Sequence, residues 1–180
     1  MKIWLITGGA RSGKSGYALD RARALGGGEV TFVATGSPGD DEMAERIQRH
    51  RRERPESWET LEAPRRPNEA LARARHSTVI VDCLTLLVAN ALDGAASEAQ
   101  ALERSREAVT RTLEAARERE GNLLVVTNEV GMGLVPTAPL GRWFRDAQGA
   151  ANREVAAVAT GVIFLVSGVP WLLAGSKPGD

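Results

Sequence analysis

Five short apolar runs without polar alternation punctuate the chain, at residues 3–7, 29–34, 78–82, 123–127 and 162–166. A strand wetted on one face alternates apolar and polar residues, so runs that do not alternate belong to strands covered on both faces. Helical stretches lie between and around them, at 14–25, 41–54, 68–75, 84–92, 97–120 and 140–160. Strand and helix in turn mean an α/β architecture around a parallel sheet. Stretch 97–120 sets Leu102, Ser105, Val109, Leu113 and Ala116 on one stripe with charges elsewhere, as a crossover helix with one solvated face does. Stretch 84–92 is apolar nearly all round, which sandwiches it in the core or sets it partly in a subunit interface. The breaks at Gly26-Gly27-Gly28, Pro38-Gly39, 64–67 and Gly94-Ala95-Ala96 are too short for interdomain linkers. At 180 residues, one compact domain over 1–180 is expected, and 43% hydrophobic residues suffice for its core.

The first strand runs into Gly8-Gly9-Ala10-Arg11-Ser12-Gly13-Lys14-Ser15, which matches G-x-x-x-x-G-K-[ST] at every position and stands between a strand and a helix. Glycines there let backbone N–H groups turn inward around β- and γ-phosphates, and the helix that follows adds its positive end. Lys14 would neutralise phosphate and Ser15 would ligate Mg²⁺. Lysine is otherwise confined to Lys2 and Lys177, the remaining basic residues being arginine, so its presence in the loop is selective. The run 78–82 ends in Asp82, the form of a second, metal-organising strand; the alternative is a carboxylate capping the next helix.

The run 123–127 leads into Asn128-Glu129-Val130-Gly131-Met132-Gly133. Ligands of parallel sheets bind beyond the carboxyl ends of the strands, so Glu129 either orients a nucleophile or contacts substrate, or lies in an ordinary surface loop. The guanine-reading Asn-Lys-x-Asp of switch GTPases occurs nowhere, which weighs against a GTP-binding switch module.

Residues 40–55 open with Asp40, Asp41 and Glu42 and continue with Arg46, Arg49, His50, Arg51, Arg52 and Arg54, a charge order that agrees with the helix dipole. Met43, Ile47 and His50 share the inward face. Neighbouring arginines favour the neutral imidazole, which is the nucleophilic form. By itself, though, a basic run reads first as a solvated helix with a packing histidine. His76, at a helix end before a strand, reads as a C-terminal cap.

Charge and cysteine usage narrow the classes further. Lys plus Arg (23) equals Asp plus Glu (23), so no net field draws the chain to nucleic acid or anionic lipid. One cysteine, Cys83, forms no internal disulfide, two histidines build no Cys/His zinc cluster, and no apolar run reaches the roughly 18 residues of a membrane helix. A cytoplasmic protein without a membrane span is expected.

Three segments in order, GGARSGKS at 8–15, DDEMAERIQRH at 40–50 and VTNEVGMGLVP at 126–136, resemble the adenosylcobinamide kinase/adenosylcobinamide-phosphate guanylyltransferase family. RWFRDAQGAAN at 142–152 is similar too, so the resemblance covers most of the chain. It implies a RecA-like P-loop NTPase fold, three layers with a mostly parallel central sheet. It also implies a bifunctional enzyme of adenosylcobalamin assembly and salvage, which phosphorylates adenosylcobinamide from ATP or GTP. The same enzyme then transfers GMP from GTP to the phosphate through a guanylylated histidine. His50 matches that histidine, which reverses the solvated-helix reading; with Lys14 it forms the expected catalytic pair. Where the family can show two adjacent histidines, Arg49 precedes His50. By the same resemblance Ala34, Thr35, Gly36, Arg51, Arg52, Glu53, Arg54, Glu62 and Asp82 line the nucleotide site beside residues 8–15, with Mg²⁺ on Ser15 and Asp82. A homo-oligomer is implied, expected as a trimer. A P-loop kinase of another small alcohol, in which His50 only packs, is the competing enzyme reading. The tail 169–180 matches no known pattern.

Overall fold

A computed structural model describes residues 1–39 and 41–180, apart from the side chains of Glu42 and Arg46. Seven strands form one sheet in the order β3-β2-β4-β5-β1-β6-β7. The central five are β1 (Lys2–Gly8), β2 (Val30–Ala34), β4 (Thr78–Asp82), β5 (Asn122–Val126) and β6 (Gly161–Val166). They follow the five apolar runs to within a residue or two at each end. The edges are β3 (Glu59–Glu62), parallel to β2, and β7 (Val169–Gly175), antiparallel to β6. The helices are α1 (Lys14–Gly26), α2 (Asp41–Arg52), α3 (Pro67–Arg73), α4 (Leu84–Leu92), α5 (Glu98–Arg117) and α6 (Pro139–Val158).

The absence of alternation in the strands has a direct cause. Successive side chains point to opposite faces, and here both faces are covered. Ile3, Leu5, Val79, Val81, Leu123 and Val125 meet α3, α4, α5 and α6 on one side. Trp4, Ile6, Ile80, Leu124 and Val126 meet Ala18, Leu19 and Ala22 of α1 on the other. The result is three layers. Leu84, Leu87, Val88 and Leu92 are buried, so the all-round apolar α4 is a core helix. No described helix is long and apolar enough to cross a membrane.

Strand β3 is too polar for an apolar-run criterion, whereas β7 is apolar along its length, with Val169, Trp171 and Leu173 open to solvent on one face. Strand β3 reads Glu-Thr-Leu-Glu, and its anchor is a carboxylate: Glu59 accepts from the Thr31 hydroxyl at 2.6 Å and from the Arg75 backbone N–H at 2.9 Å. Strand β7 contains Pro170, tolerated because an edge strand does not need every N–H in the ladder. Ser167 (φ 50°) and Gly168 (φ 83°) make the tight turn into it, two left-handed residues matching the twist of a two-residue hairpin. The tail from 169 is therefore partly a sheet strand, and Trp4 donates its indole N–H to the Ser176 carbonyl at 3.1 Å.

Two further expectations need correction. The basic helix ends at Arg52, short of Arg54, and the charges assigned to Asp40, Glu42 and Arg46 lie outside the described residues. His76 caps no helix: α3 stops at Arg73, and the His76 carbonyl instead accepts from Arg119 at 2.9 Å.

Candidate active site

Strand β1 sits between β5 and β6, and its carboxyl end delivers residues 8–15 to the edge of the sheet where β2, β4 and β5 also end. Two glycines in this loop are obligatory. A Cβ on Gly8 would stand 2.5 Å from the Leu165 carbonyl oxygen. Gly13 is left-handed (φ 91°) as it enters α1, and a Cβ there would come 3.3 Å from Gly168 Cα. Gly168 in turn donates its N–H to the Ser12 carbonyl at 2.9 Å, so the β6–β7 turn braces the loop. Lys14 is buried, with its ammonium 2.9 Å from the Gly9 carbonyl.

Asp82 is at the end of β4, and the Ser15 hydroxyl donates to its carboxylate. Burial pushes the Asp82 carboxyl above the ordinary aspartate range, opposed by His50, Arg54 and Lys14 nearby. The helix-capping alternative fails, because the N-cap of α4 is Cys83, not Asp82, and its own side chain makes no capping hydrogen bond. Thr35, fully buried, grips that residue instead: its hydroxyl accepts the Cys83 N–H at 2.8 Å and donates to the Cys83 carbonyl at 2.7 Å. A buried carboxylate paired with a hydroxyl oxygen is a donor set of hard oxygens, which suits Mg²⁺.

Lys14, Ser15, His50, Arg54, Glu62 and Asp82 face one cavity of about 270 Å³. Ala34 and Gly36 form part of its floor, and Met43, Ile47, Phe32 and Leu86 give it an apolar wall. The inward face of α2 therefore lines a cavity and does not pack into a core. A second cavity of about 510 Å³ opens over Ala10, Arg11, Ser12 and Gly13. Lys14, Ser15 and His50 border both. Arg51 and Arg52 are exposed and line neither; Glu53 borders only the second.

At the end of α2, Arg54 donates from Nε to the His50 carbonyl at 3.0 Å and reaches Thr60 at 3.4 Å. His50 Nδ1 lies 3.3 Å from Glu53 Oε2. The expectation of a histidine accompanied by arginines counted only cations; the structure adds a carboxylate beside the ring.

On the far wall, Asn128 lines the first cavity. A buried network sets the backbone on which it stands. Gln148 donates to Thr127 Oγ1 at 3.0 Å and to Asn152 Oδ1 at 2.8 Å, Asn152 donates to the Asn128 carbonyl at 3.1 Å, and Asn128 N–H donates to Thr85 at 2.7 Å. Glu129 turns back on its own loop, accepting from Gly131 N–H at 2.6 Å, while its backbone N–H donates to the Gly8 carbonyl at 3.0 Å. Phe32 and Thr85 carry no polar sequence pattern that marks them as parts of a site; Gln148 and Asn152 both stand in the segment 142–152 that the sequence singles out.

The description that matches the chain over residues 4–173 is cobinamide kinase / cobinamide phosphate guanyltransferase (CobU). The chain belongs to this family. The family's enzymes are kinases and guanyltransferases, both transferases. The chain is 40% identical over 175 residues to the bifunctional adenosylcobalamin biosynthesis protein CobU of Escherichia coli (strain K12), covering 92% of this chain and 96% of that one. Likeness to the protein of the same title, CobP, of Pseudomonas aeruginosa is 41% over 177 residues, with 95% and 96% covered. CobU of Salmonella typhimurium (strain LT2) is 41% identical over 177 residues, with 92% and 96% covered. The family match and these relatives each cover nearly the whole chain, so the resemblance extends well beyond 8–15, 40–50 and 126–136.

Proposed function

We propose that this chain is a bifunctional transferase of adenosylcobalamin assembly that phosphorylates the aminopropanol hydroxyl of adenosylcobinamide and then caps the phosphate with GMP from GTP. The observation that carries the reading is the convergence of Lys14, Ser15, Asp82 and His50 on one cavity beside the loop 8–15. ATP or GTP serves as phosphoryl donor in the first activity. Its phosphates lie in the cradle of residues 8–15, where backbone N–H groups and the start of α1 favour anions. Lys14 neutralises charge that moves toward the leaving phosphate. Ser15 and Asp82 would hold Mg²⁺, which supplies electrostatic stabilisation of phosphoryl oxygens.

In the second activity His50 Nε2 attacks the α-phosphorus of GTP, a P–N bond forms, and the bond to pyrophosphate breaks with its electron pair on pyrophosphate. An oxygen of adenosylcobinamide phosphate then attacks the same phosphorus and returns the electron pair to nitrogen. Splitting the transfer lets one nucleotide site serve both halves. Arg54 and Glu62, in the wall of the same cavity, and Ala34 and Gly36 at the end of β2 contribute to nucleotide binding, while Thr35, fully buried, holds the backbone of Cys83 beside Asp82. A homo-oligomer, expected as a trimer, is supported by the exposed apolar row Val169, Trp171 and Leu173 on β7. The reaction takes place in the cytoplasm.

The test is incubation with Mg²⁺ and GTP labelled at the α-phosphate, followed by denaturation. Retained label that is acid-labile, alkali-stable and absent from His50→Ala is the expected result. No label where GTP demonstrably binds would leave a plain P-loop kinase.

A further inference from the structure

We infer that Glu53 is a positioning residue for guanylyl transfer: it holds the proton of His50 on Nδ1, so that GMP is carried on Nε2. The inference rests on the reading of His50 as the GMP carrier and adds the nitrogen and the group that selects it.

Residues three apart on a helix share a face, and the last turn of α2 continues far enough to bring this pair together, since Glu53 N–H donates to the Arg49 carbonyl at 3.2 Å. His50 Nδ1 then lies 3.3 Å from Glu53 Oε2. The backbone of His50 is fixed independently, because Arg54 Nε donates to its carbonyl. A neutral imidazole has one N–H and one lone pair, and an ionised carboxylate can only accept. The tautomer with the proton on Nδ1 is attracted to Glu53; the other places a lone pair against a carboxylate. Nε2 therefore keeps its lone pair. The ring borders both cavities, with Lys14 and Ser15 bordering the same two, which sets it beside the loop 8–15.

The carboxylate has a second effect. When Nε2 bonds to phosphorus the ring becomes a cation that still carries its Nδ1 proton, and Glu53 offsets that charge without taking part in the bond change. When the substrate phosphate displaces Nε2, the electron pair returns to Nε2 and the Nδ1–H is unchanged. No proton need leave the site in either half.

The experiment uses the full chain labelled with ¹⁵N-histidine. Long-range ¹H–¹⁵N spectra at neutral pH read the tautomer of His50, with His76 as internal comparison. After addition of Mg²⁺ and GTP, ³¹P–¹⁵N coupling in the alkali-denatured adduct reads which nitrogen carries GMP. The expected result is an Nδ1–H tautomer, an adduct on Nε2, and in Glu53→Gln a loss of that tautomer with adduct formation slowed about 10- to 100-fold, as when the group orienting a reactive imidazole is removed. Glu53→Asp, which keeps the carboxylate on a shorter arm, recovers part of the rate. An adduct on Nδ1, or wild-type rate and tautomer in Glu53→Gln, overturns the inference while His50 stays the carrier. Absence of any adduct in the wild-type chain overturns both together.

Discussion

The Arg54 guanidinium stacks over the Phe32 ring, its central carbon 3.5 Å from the ring centroid. Phe32 belongs to β2 and Arg54 follows α2, so the stack is a joint between the sheet and the helix that carries His50. Burial draws the Arg54 guanidinium below its ordinary pKa, opposed by the Asp82 charge. The group is held as a planar cation between the Phe32 ring, the His50 carbonyl and the Thr60 hydroxyl, a role for which lysine is no substitute. Arg54→Lys is expected to lose about 1–2 kcal/mol of stability, the worth of a desolvated cation–π contact. Formation of the GMP adduct should fall with it; thermal unfolding and the labelled-GTP assay measure the two effects on one sample.

Asp82 sets a trade of stability against activity. Burial raises its carboxyl above the range it has in the unfolded chain. Between the unfolded and folded values the folded chain holds more protons, so stability falls as pH rises through that window. Asp82→Asn removes the ionisation and is expected to melt higher than wild type at neutral pH, with the difference vanishing below the ordinary carboxylate range. The same variant should lose about 10²-fold or more in turnover, as when a group stabilising transition-state charge is removed. Calorimetry across pH together with kinase turnover checks both halves; a variant that melts lower at neutral pH contradicts the sign.

Glu59 has the opposite sign. Burial would raise its carboxyl, but hydrogen bonds from the Arg75 backbone, the Thr31 hydroxyl and the Arg75 side chain outweigh burial and hold it below the ordinary glutamate range. Its contribution is present above the unfolded carboxylate pKa and is lost as pH falls through the folded one. Glu59→Ala is expected to cost about 1.5–3 kcal/mol at neutral pH, the range for hydrogen bonds to a charged group. Denaturant unfolding at neutral and acid pH should show this cost shrinking in acid.

Gln148 is fully buried and donates to both Thr127 and Asn152. Gln148→Ala removes two hydrogen bonds from a buried network in which Asn152 Oδ1 still accepts from Thr127, and is expected to cost about 1–3 kcal/mol. Hydrogen exchange at Asn128 and Glu129 should rise more than in β4, because the network holds the loop that follows β5. Uniform acceleration across the sheet would instead mark Gln148 as general packing.

The buried part of the sheet was legible because both of its faces are apolar: Thr78–Asp82 and Leu84–Leu92 have the boundaries the sequence predicts. The loop 8–15 was legible because its conformation demands glycine at fixed places. What escaped was marked by pairing. Strand β3 is held by the side chain of Glu59 and carries no apolar run, while β7 is apolar but interrupted by Pro170 and set by a hairpin turn. The cavity shows the same division. Lys14, Ser15 and Asp82 announce themselves by motif, whereas Phe32 is one apolar strand residue among many until Arg54 is seen over it. Resemblance supplied His50 as a nucleophile; only coordinates supply Glu53 as its neighbour at 3.3 Å.

The brace between Gly168 and Ser12 ties the beginning of the polypeptide to its end. During synthesis, β1 leaves the ribosome early but has no sheet neighbour until residues 122–126 follow, and the carbonyl of Ser12 has no partner until residue 168 does. The loop 8–15 is thus completed only after residue 168 has been made. A nascent chain cannot complete the loop at residues 8–15 while the chain up to residue 168 is still being added, and a release that comes before residue 168 yields a chain without the brace.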